Sequence, residues 1–304
     1  MVLAVPGASQ GEPSNPFSEA SAKLRDVIQR EASGVAREHL GAQRAWTLWR
    51  AYAETGDAKK LEEIRALARA NDHGALNVMG YLKAEGADGV ARDASGAVAL
   101  FRRAASEGRL PIAVYNLGLL TMKGEGVPAD TKEAKRLFGS AAELVPQAAV
   151  RLALLQIEEG RYMDAWRTAK LAAQRGDPWG NYLCGKLAAM GSAGDQGLGV
   201  ALDYLRRATE HWHPDAAKLM AELSERAATN DKTGIARVNA GMYRVISQAI
   251  RLPDPVAAAR AGLPSALDSA EAEKASALAM NWLNTHPKPP HARNYNRPLA
   301  VPDA

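Results

Sequence analysis

The chain has 304 residues, of which 47% are hydrophobic but only 6% aromatic, so its interior must be built largely from alanine and leucine. Three phenylalanines argue against a β-sandwich, whose strands favour aromatic and β-branched side chains. With 38 Lys and Arg against 34 Asp and Glu, the net charge of +4 is too balanced for a nucleic-acid footprint.

Residues 1–17 read as a disordered N-terminal tail. They lack the basic region and the long apolar stretch of a signal peptide, yet their small residues, Pro and Gly resemble the end of one. The chain is therefore cytoplasmic as written, and periplasmic or exported if an export signal lies upstream. No stretch approaches the roughly 20 apolar residues that span a bilayer, so no membrane insertion is expected. Ser18 to Arg30 reads as an amphipathic helix with Leu24, Val27 and Ile28 inward, and residues 18–41 as an N-terminal capping region.

From residue 42 the pattern becomes periodic. Leu48, Tyr52, Gly56 and Asp57, then Leu61, Ile64 and Ala68, mark a first pair of helices. The clearest unit is residues 111–142. Ala113, Leu117 and Thr121 form a stripe on one helix, with Gly118 beside Leu117; Ala134, Leu137, Phe138, Ala141 and Ala142 form the facing stripe. Gly124, Gly126 and Pro128 break the helix between them. Asp130 and Glu133 have the spacing of a reciprocal capping box. Val90, Asp93, Ala97, Phe101, Ala104 and Ala105 each recur 37 residues later, as Val127, Asp130, Ala134, Phe138, Ala141 and Ala142. The earlier copy has Met79 in place of the leucine and a turn, Gly86-Ala87-Asp88-Gly89, one residue longer.

The pattern A-x-x-x-L-G, then G-x-G-V-x-x-D, then A-x-x-L-F-x-x-A-A resembles the Sel1-like repeat (SLR), a subfamily of the tetratricopeptide repeats. The fold this implies is all-α, a right-handed α-solenoid of stacked helix-turn-helix pairs, because one pair cannot bury its own apolar face. About six repeats fit residues 42–251. A short-turned copy holds Leu152, Gly160, Tyr162, Ala165, Ala169, Ala172, Ala173 and Gly176. The next holds Cys184, Gly185 and Gly191, with Val200, Tyr204 and Ala208 on its second helix. In the last, Ala216, Met220 and Ser224 continue the stripe and residues 233–251 supply the partner helix. Pro253, Pro255 and Pro264 then interrupt the helices. Residues 252–285 read as a capping region, with Ala275, Ala279 and Trp282 on one face of a helix from Ser269 to Leu283. Residues 286–304 hold five prolines and read as an extended or disordered tail.

Catalytic chemistry is not evident in the residues. The turn GEGVPAD lacks the lysine and preceding strand of a phosphate loop. The Glu pairs at 62–63 and 158–159 read as solvated charge, and Cys184 reads as a buried structural thiol. His211 and His213 flank Trp212 as the one metal-like cluster, with no third ligand evident. Arg102, Arg103, Arg206 and Arg207 occupy equivalent outward sites, open to water or to an acidic partner.

The resemblance implies a non-enzymatic scaffold or adaptor for a protein or peptide partner, commonly in bacterial envelope, secretion or signalling assemblies. It implies no cofactor, metal or small-molecule substrate. The alternative is an enzyme-associated repeat domain, or a hidden metal-dependent hydrolase using His211 and His213. In tetratricopeptide folds the first helices line a concave face. Registering each copy on its Leu-Gly position places there Trp46, Arg50, Asn77, Tyr81, Tyr115, Leu119, Met122, Val150, Leu154, Ile157, Trp179, Tyr182 and Lys186. So apolar a surface should be covered. The cover is a partner segment with Trp and Tyr as anchors, the same side chains packing on one another or on the terminal helices, or the Pro-rich tail.

Overall fold

The computed structural model describes residues 40–87, 89–108, 110–192, 194, 197–229, 231–251 and 269–286. The expectations for residues 1–39, for the prolines at 253, 255 and 264, and for the tail beyond His286 lie outside them. Among the described residues there are thirteen helices, packed as consecutive pairs. They fall into two compact units, one ending at Leu152 and the other beginning at Ala153. No helix among the described residues is long and apolar enough to cross a membrane.

The first unit contains α1 (Leu40–Thr55), α2 (Ala58–Arg69), α3 (His73–Glu85), α4 (Ala94–Gly108), α5 (Pro111–Lys123) and α6 (Thr131–Ala141). The unit boundary lies within α7 (Pro146–Glu158). Two successive hairpins of this unit close on the same device. In α5–α6, Gly118 lies under the ring of the wholly buried Phe138, where a Cβ would come 2.7 Å from the ring edge. In α3–α4, Gly80 meets Phe101 in the same way, at 2.8 Å. Glycine is needed here because the aromatic ring occupies the space that any side chain would fill.

The turns also repeat. The backbone N–H of Asp130 donates to the Thr121 carbonyl (3.0 Å), and that of Asp93 donates to the Lys83 carbonyl (2.7 Å). Asp130 Oδ1 accepts from the Glu133 N–H (2.9 Å), and Asp93 Oδ1 accepts from the Gly96 N–H (2.8 Å). Only this half of the expected capping box forms. Because Thr121 already takes the Asp130 N–H, the Glu133 carboxylate turns instead to Arg136, at 2.7 Å from both of its donors. The extra residue of the earlier turn is absorbed where Ala87 and Val90 exchange two backbone hydrogen bonds, of 3.0 and 2.8 Å.

Gly126 ties one hairpin to the next. It has φ +73°, and a Cβ there would lie 2.4 Å from the backbone carbonyl of Ala94, at the start of α4. Gly126→Ala is expected to cost about 2–3 kcal/mol, combining a left-handed conformation that alanine resists with a backbone that cannot step aside. Urea denaturation followed by circular dichroism measures it; a loss below about 0.5 kcal/mol would show that the turn moves freely.

The second unit contains α8 (Tyr162–Gln174), α9 (Pro178–Ala189), α10 (Gly197–Glu210), α11 (Pro214–Ala228), α12 (Ile235–Ala249) and α13 (Ser269–Thr285). On α8, Ala165, Ala169, Ala172 and Ala173 are buried, and they let α9 approach so closely that a Cβ on Gly180 would lie 2.5 Å from the Ala173 nitrogen. Gly185 of α9 faces Leu205 of α10 (2.6 Å from a built Cβ), so a leucine replaces the aromatic in the same glycine seat. That seat fixes the phase of α10. Its inner face is Ala201, Leu205 and Ala208, whereas Val200 is exposed and Tyr204 half-buried, which shifts the sequence expectation by one residue. Cys184 is wholly buried and free, and burial pushes its thiol up to about 12.

At the end of this unit Ala275, Ala279 and Leu283 of α13 are buried, and α13 packs on α12. Arg237 and Glu271 bridge those two helices at 2.7 Å. Trp212 is buried beside Trp282 (ring centroids 5.7 Å apart), and its indole N–H donates to the His286 carbonyl (3.1 Å).

Candidate partner-binding groove

The structure separates the expected concave residues into two groups. In the first unit Trp46, Asn77, Tyr81 and Tyr115 are buried, as is Val150 on α7. Trp46 stacks on Trp49 at 4.7 Å, Trp49 meets Tyr81 edge-on at 6.4 Å, and Tyr115 packs against Phe138 at 5.9 Å. Asn77 accepts a hydrogen bond from the side chain of Asn116 (3.0 Å). These five positions offer a partner little accessible surface: the three aromatic rings are taken up by the contacts just described, Asn77 by its hydrogen bond, and Val150 is wholly buried. Arg50 is exposed, while Leu119 and Met122 are half-buried.

In the second unit a groove stays open between α9 and α11, with a volume of about 280 Å³. Tyr182, Lys186 and Met190 line one wall, and Met190 is 59% exposed. Leu219 and Leu223 form the apolar part of the other wall, while Asp215, Lys218, Glu222 and Arg226 supply its charge. Of the expected residues, Tyr182 and Lys186 line this groove. Trp179 is half-buried behind it, packed edge-on to Tyr182 at 5.9 Å, and Leu154 and Ile157 are half-buried elsewhere in the unit. Sequence reading missed the α11 wall. Its signal was present: Leu219 and Leu223 follow the core residues Ala216 and Met220 by three, a second apolar stripe beside the first.

His213 braces the groove from within. It is fully buried, its Nδ1 accepts from the Ala216 N–H (3.3 Å), and its ring stacks on Tyr182 (4.5 Å) and meets Trp179 edge-on (4.4 Å). It thus caps α11 in the position that Asp177 holds for α9 and Asp72 for α3. Burial, and secondarily the Arg251 charge, lower its pKa to about 3, so the imidazole is neutral. Burial, followed by the charges of Asp215 and Glu222, pushes the Tyr182 phenol up to about 12 and keeps it a hydrogen-bond donor. The Lys186 ammonium lies 5.8 Å from the centre of the same ring.

This geometry does not bring His211 and His213 together as the metal pair of the alternative reading. His211 is exposed, while His213 is enclosed with Nδ1 committed to the helix cap. Among the described residues no three His, Cys, Asp or Glu side chains are grouped to hold a metal ion.

The paired helices, the glycine seats and the shared turn device define a helical-repeat protein with the SLR fold. The Sel1 repeat family model matches residues 73–108 and 111–145, which are the hairpins α3–α4 and α5–α6, so the chain carries Sel1 repeats. Among solved structures it is similar to a Sel1 repeat protein from Oxalobacter formigenes, at 23% identity and a TM-score of 0.56, covering 79% of this chain and 99% of that one. It is also similar to a protective antigen of uropathogenic Escherichia coli strains that displays an SLR fold, at 16% identity and a TM-score of 0.67. That match covers 95% of this chain and 64% of the antigen. At these identities the likeness is one of fold. None of the curated proteins matches the chain.

Proposed function

We propose that this protein is a non-catalytic interaction scaffold that holds a segment of a protein partner in the groove between α9 and α11. Sel1 repeats generally mediate protein interactions, and the SLR fold is typically non-catalytic. The observation that carries the reading is the groove itself. The corresponding aromatic residues of the first unit are buried, whereas here apolar and aromatic side chains line an open groove, with a methionine more than half exposed. Methionine at a binding surface adapts its shape to a partner, and a tyrosine fixed from behind by stacking is a rigid anchor. The setting we infer is a bacterial envelope, secretion or signalling assembly.

A photo-crosslinking residue placed at Met190 is expected to capture a discrete partner from native extract. The same residue at Arg167, on the exposed face of α8, should capture none. Lys186→Glu should abolish the Met190 product while leaving the circular dichroism unchanged. Equal capture at both positions, or insensitivity to Lys186→Glu, would show that the groove is not the docking site.

A further inference from the structure

We propose that the groove between α9 and α11 selects an acidic peptide segment bearing a large apolar side chain, with Lys186 and Arg226 holding its carboxylates. The inference rests on the reading of the groove as a docking site and names the chemistry of its occupant.

Positive charge is left over in the groove after internal pairing. Five charged residues line the groove: Lys186, Asp215, Lys218, Glu222 and Arg226. Asp215 pairs with Arg251 at 2.8 Å, and Glu222 pairs with Lys218 at 4.0 Å. Each anion thus has a cation of its own beside it, and the five lining charges sum to one positive before Arg251 is counted. Among the described residues Lys186 and Arg226 have no carboxylate partner, and Lys186 lies instead over the Tyr182 ring. Two unmatched cations thus flank an apolar surface made by Leu219, Leu223 and Met190. At about 280 Å³ the groove falls just below the range of ligand pockets, about 300–1,000 Å³, and it suits one or two large side chains rather than a large ligand. An apolar side chain seated there brings the flanking backbone, and any Asp or Glu on it, up to both cations.

The same charges argue against the chain's own tail. Residues 287–304 carry Lys288, Arg293 and Arg297 against Asp303 alone, so they would set like charge against Lys186 and Arg226. Complementarity therefore favours an external acidic segment.

The test is selection of a random twelve-residue peptide library on the full chain, on Lys186→Glu/Arg226→Glu, and on Met190→Asp, each checked for unchanged circular dichroism. The native chain is expected to enrich peptides in which Asp or Glu flanks Leu, Phe or Trp. The charge-reversed variant should lose that preference, and its affinity for the selected peptide, read by fluorescence anisotropy, should fall at least tenfold. Met190→Asp should weaken binding too, and raised salt should weaken it further. Enriched peptides without acidic bias whose binding still depends on Met190 would overturn this inference while leaving the docking reading intact. No enrichment, or binding indifferent to both variants, would sink both. Displacement of the selected peptide by a synthetic peptide of residues 287–304 would make the tail the occupant and overturn the proposal.

Discussion

Trp212→Ala is expected to lower the stability of the second unit by about 3–5 kcal/mol, the range for deleting a buried large aromatic side chain. Trp212 is 2% exposed, contacts Trp282, and donates its indole N–H to the His286 carbonyl, so it clamps the end of α13 to the turn before α11. It does so at φ +64°, in the left-handed region that Gly176 occupies at +75° and Asn71 at +63° in equivalent turns. A bulky side chain is unfavourable there, by roughly 1–2 kcal/mol, and stays only because its packing outweighs the backbone cost. This ranks the substitutions in an unusual order. Trp212→Gly loses the same side chain but relieves the backbone, so it should be about 1 kcal/mol less damaging than Trp212→Ala. Urea unfolding of both variants, with amide exchange to follow α13, measures the effect. A loss below about 1 kcal/mol for Trp212→Ala, or glycine worse than alanine, would refute the clamp.

The second large effect is one of pH. The His213 pKa falls from its ordinary 6.5 to about 3 in the folded chain, because burial excludes the charged form and Arg251 repels it. Between those values the unfolded chain binds a proton that the folded chain refuses. The stability linked to His213 is therefore fully present above about pH 6.5 and declines as pH falls, by at most about 1.4 kcal/mol per unit. Between pH 7 and pH 5 the loss should be about 2 kcal/mol. That interval lies above the range where Asp93, Glu133, Asp203 and Asp231, all held below the usual carboxylate pKa by their partners, begin to protonate. His213→Asn keeps a side chain able to cap α11 while removing the titration. It should be less stable at pH 8 through lost stacking on Tyr182, yet show a flatter slope from pH 7 to pH 5. Equal slopes in the two proteins would show that His213 accepts a proton in the folded state.

The two unfolding experiments also separate stability from binding. Trp212 and His213 act on the frame behind the groove, whereas Lys186, over the Tyr182 ring, and Arg226 lie on its walls. A variant of the frame should alter melting first and affinity second; a charge reversal on the wall should do the opposite.

Repeat identity was legible in sequence because it depends on local rules. Gly118 beside Leu117, Asp130 at a helix start, Gly124 and Gly126 in a turn, and alanines at helical spacing each satisfy a requirement set within a few residues of themselves. Spacing at 37 residues then made one hairpin two, and the same stripes extended the register to either side. The last two hairpins and the closing helix α13 followed from the same stripes, although the Sel1 repeat model matches only the two central copies.

What the sequence did not determine is which non-core positions remain accessible. Tyr115 and Tyr182 sit at corresponding places in their repeats, yet one packs against Phe138 with 6% exposure and the other lines an open groove. The difference lies in the neighbours: Tyr115 packs against the Phe138 ring of its own hairpin, whereas Tyr182 stacks on His213 of the next and lines the groove. The same holds for the His-Trp-His segment. Its spacing suggested a metal pair, but the turn before α11 makes Trp212 a left-handed clamp and His213 a helix cap, and only the packing of α9 and α13 around them decides those roles. Local periodicity determines most of what each helix buries, because it is set within the helix; the side chains that neighbouring helices bring up decide the rest, the phase of α10 against Gly185 and the surface left for a partner.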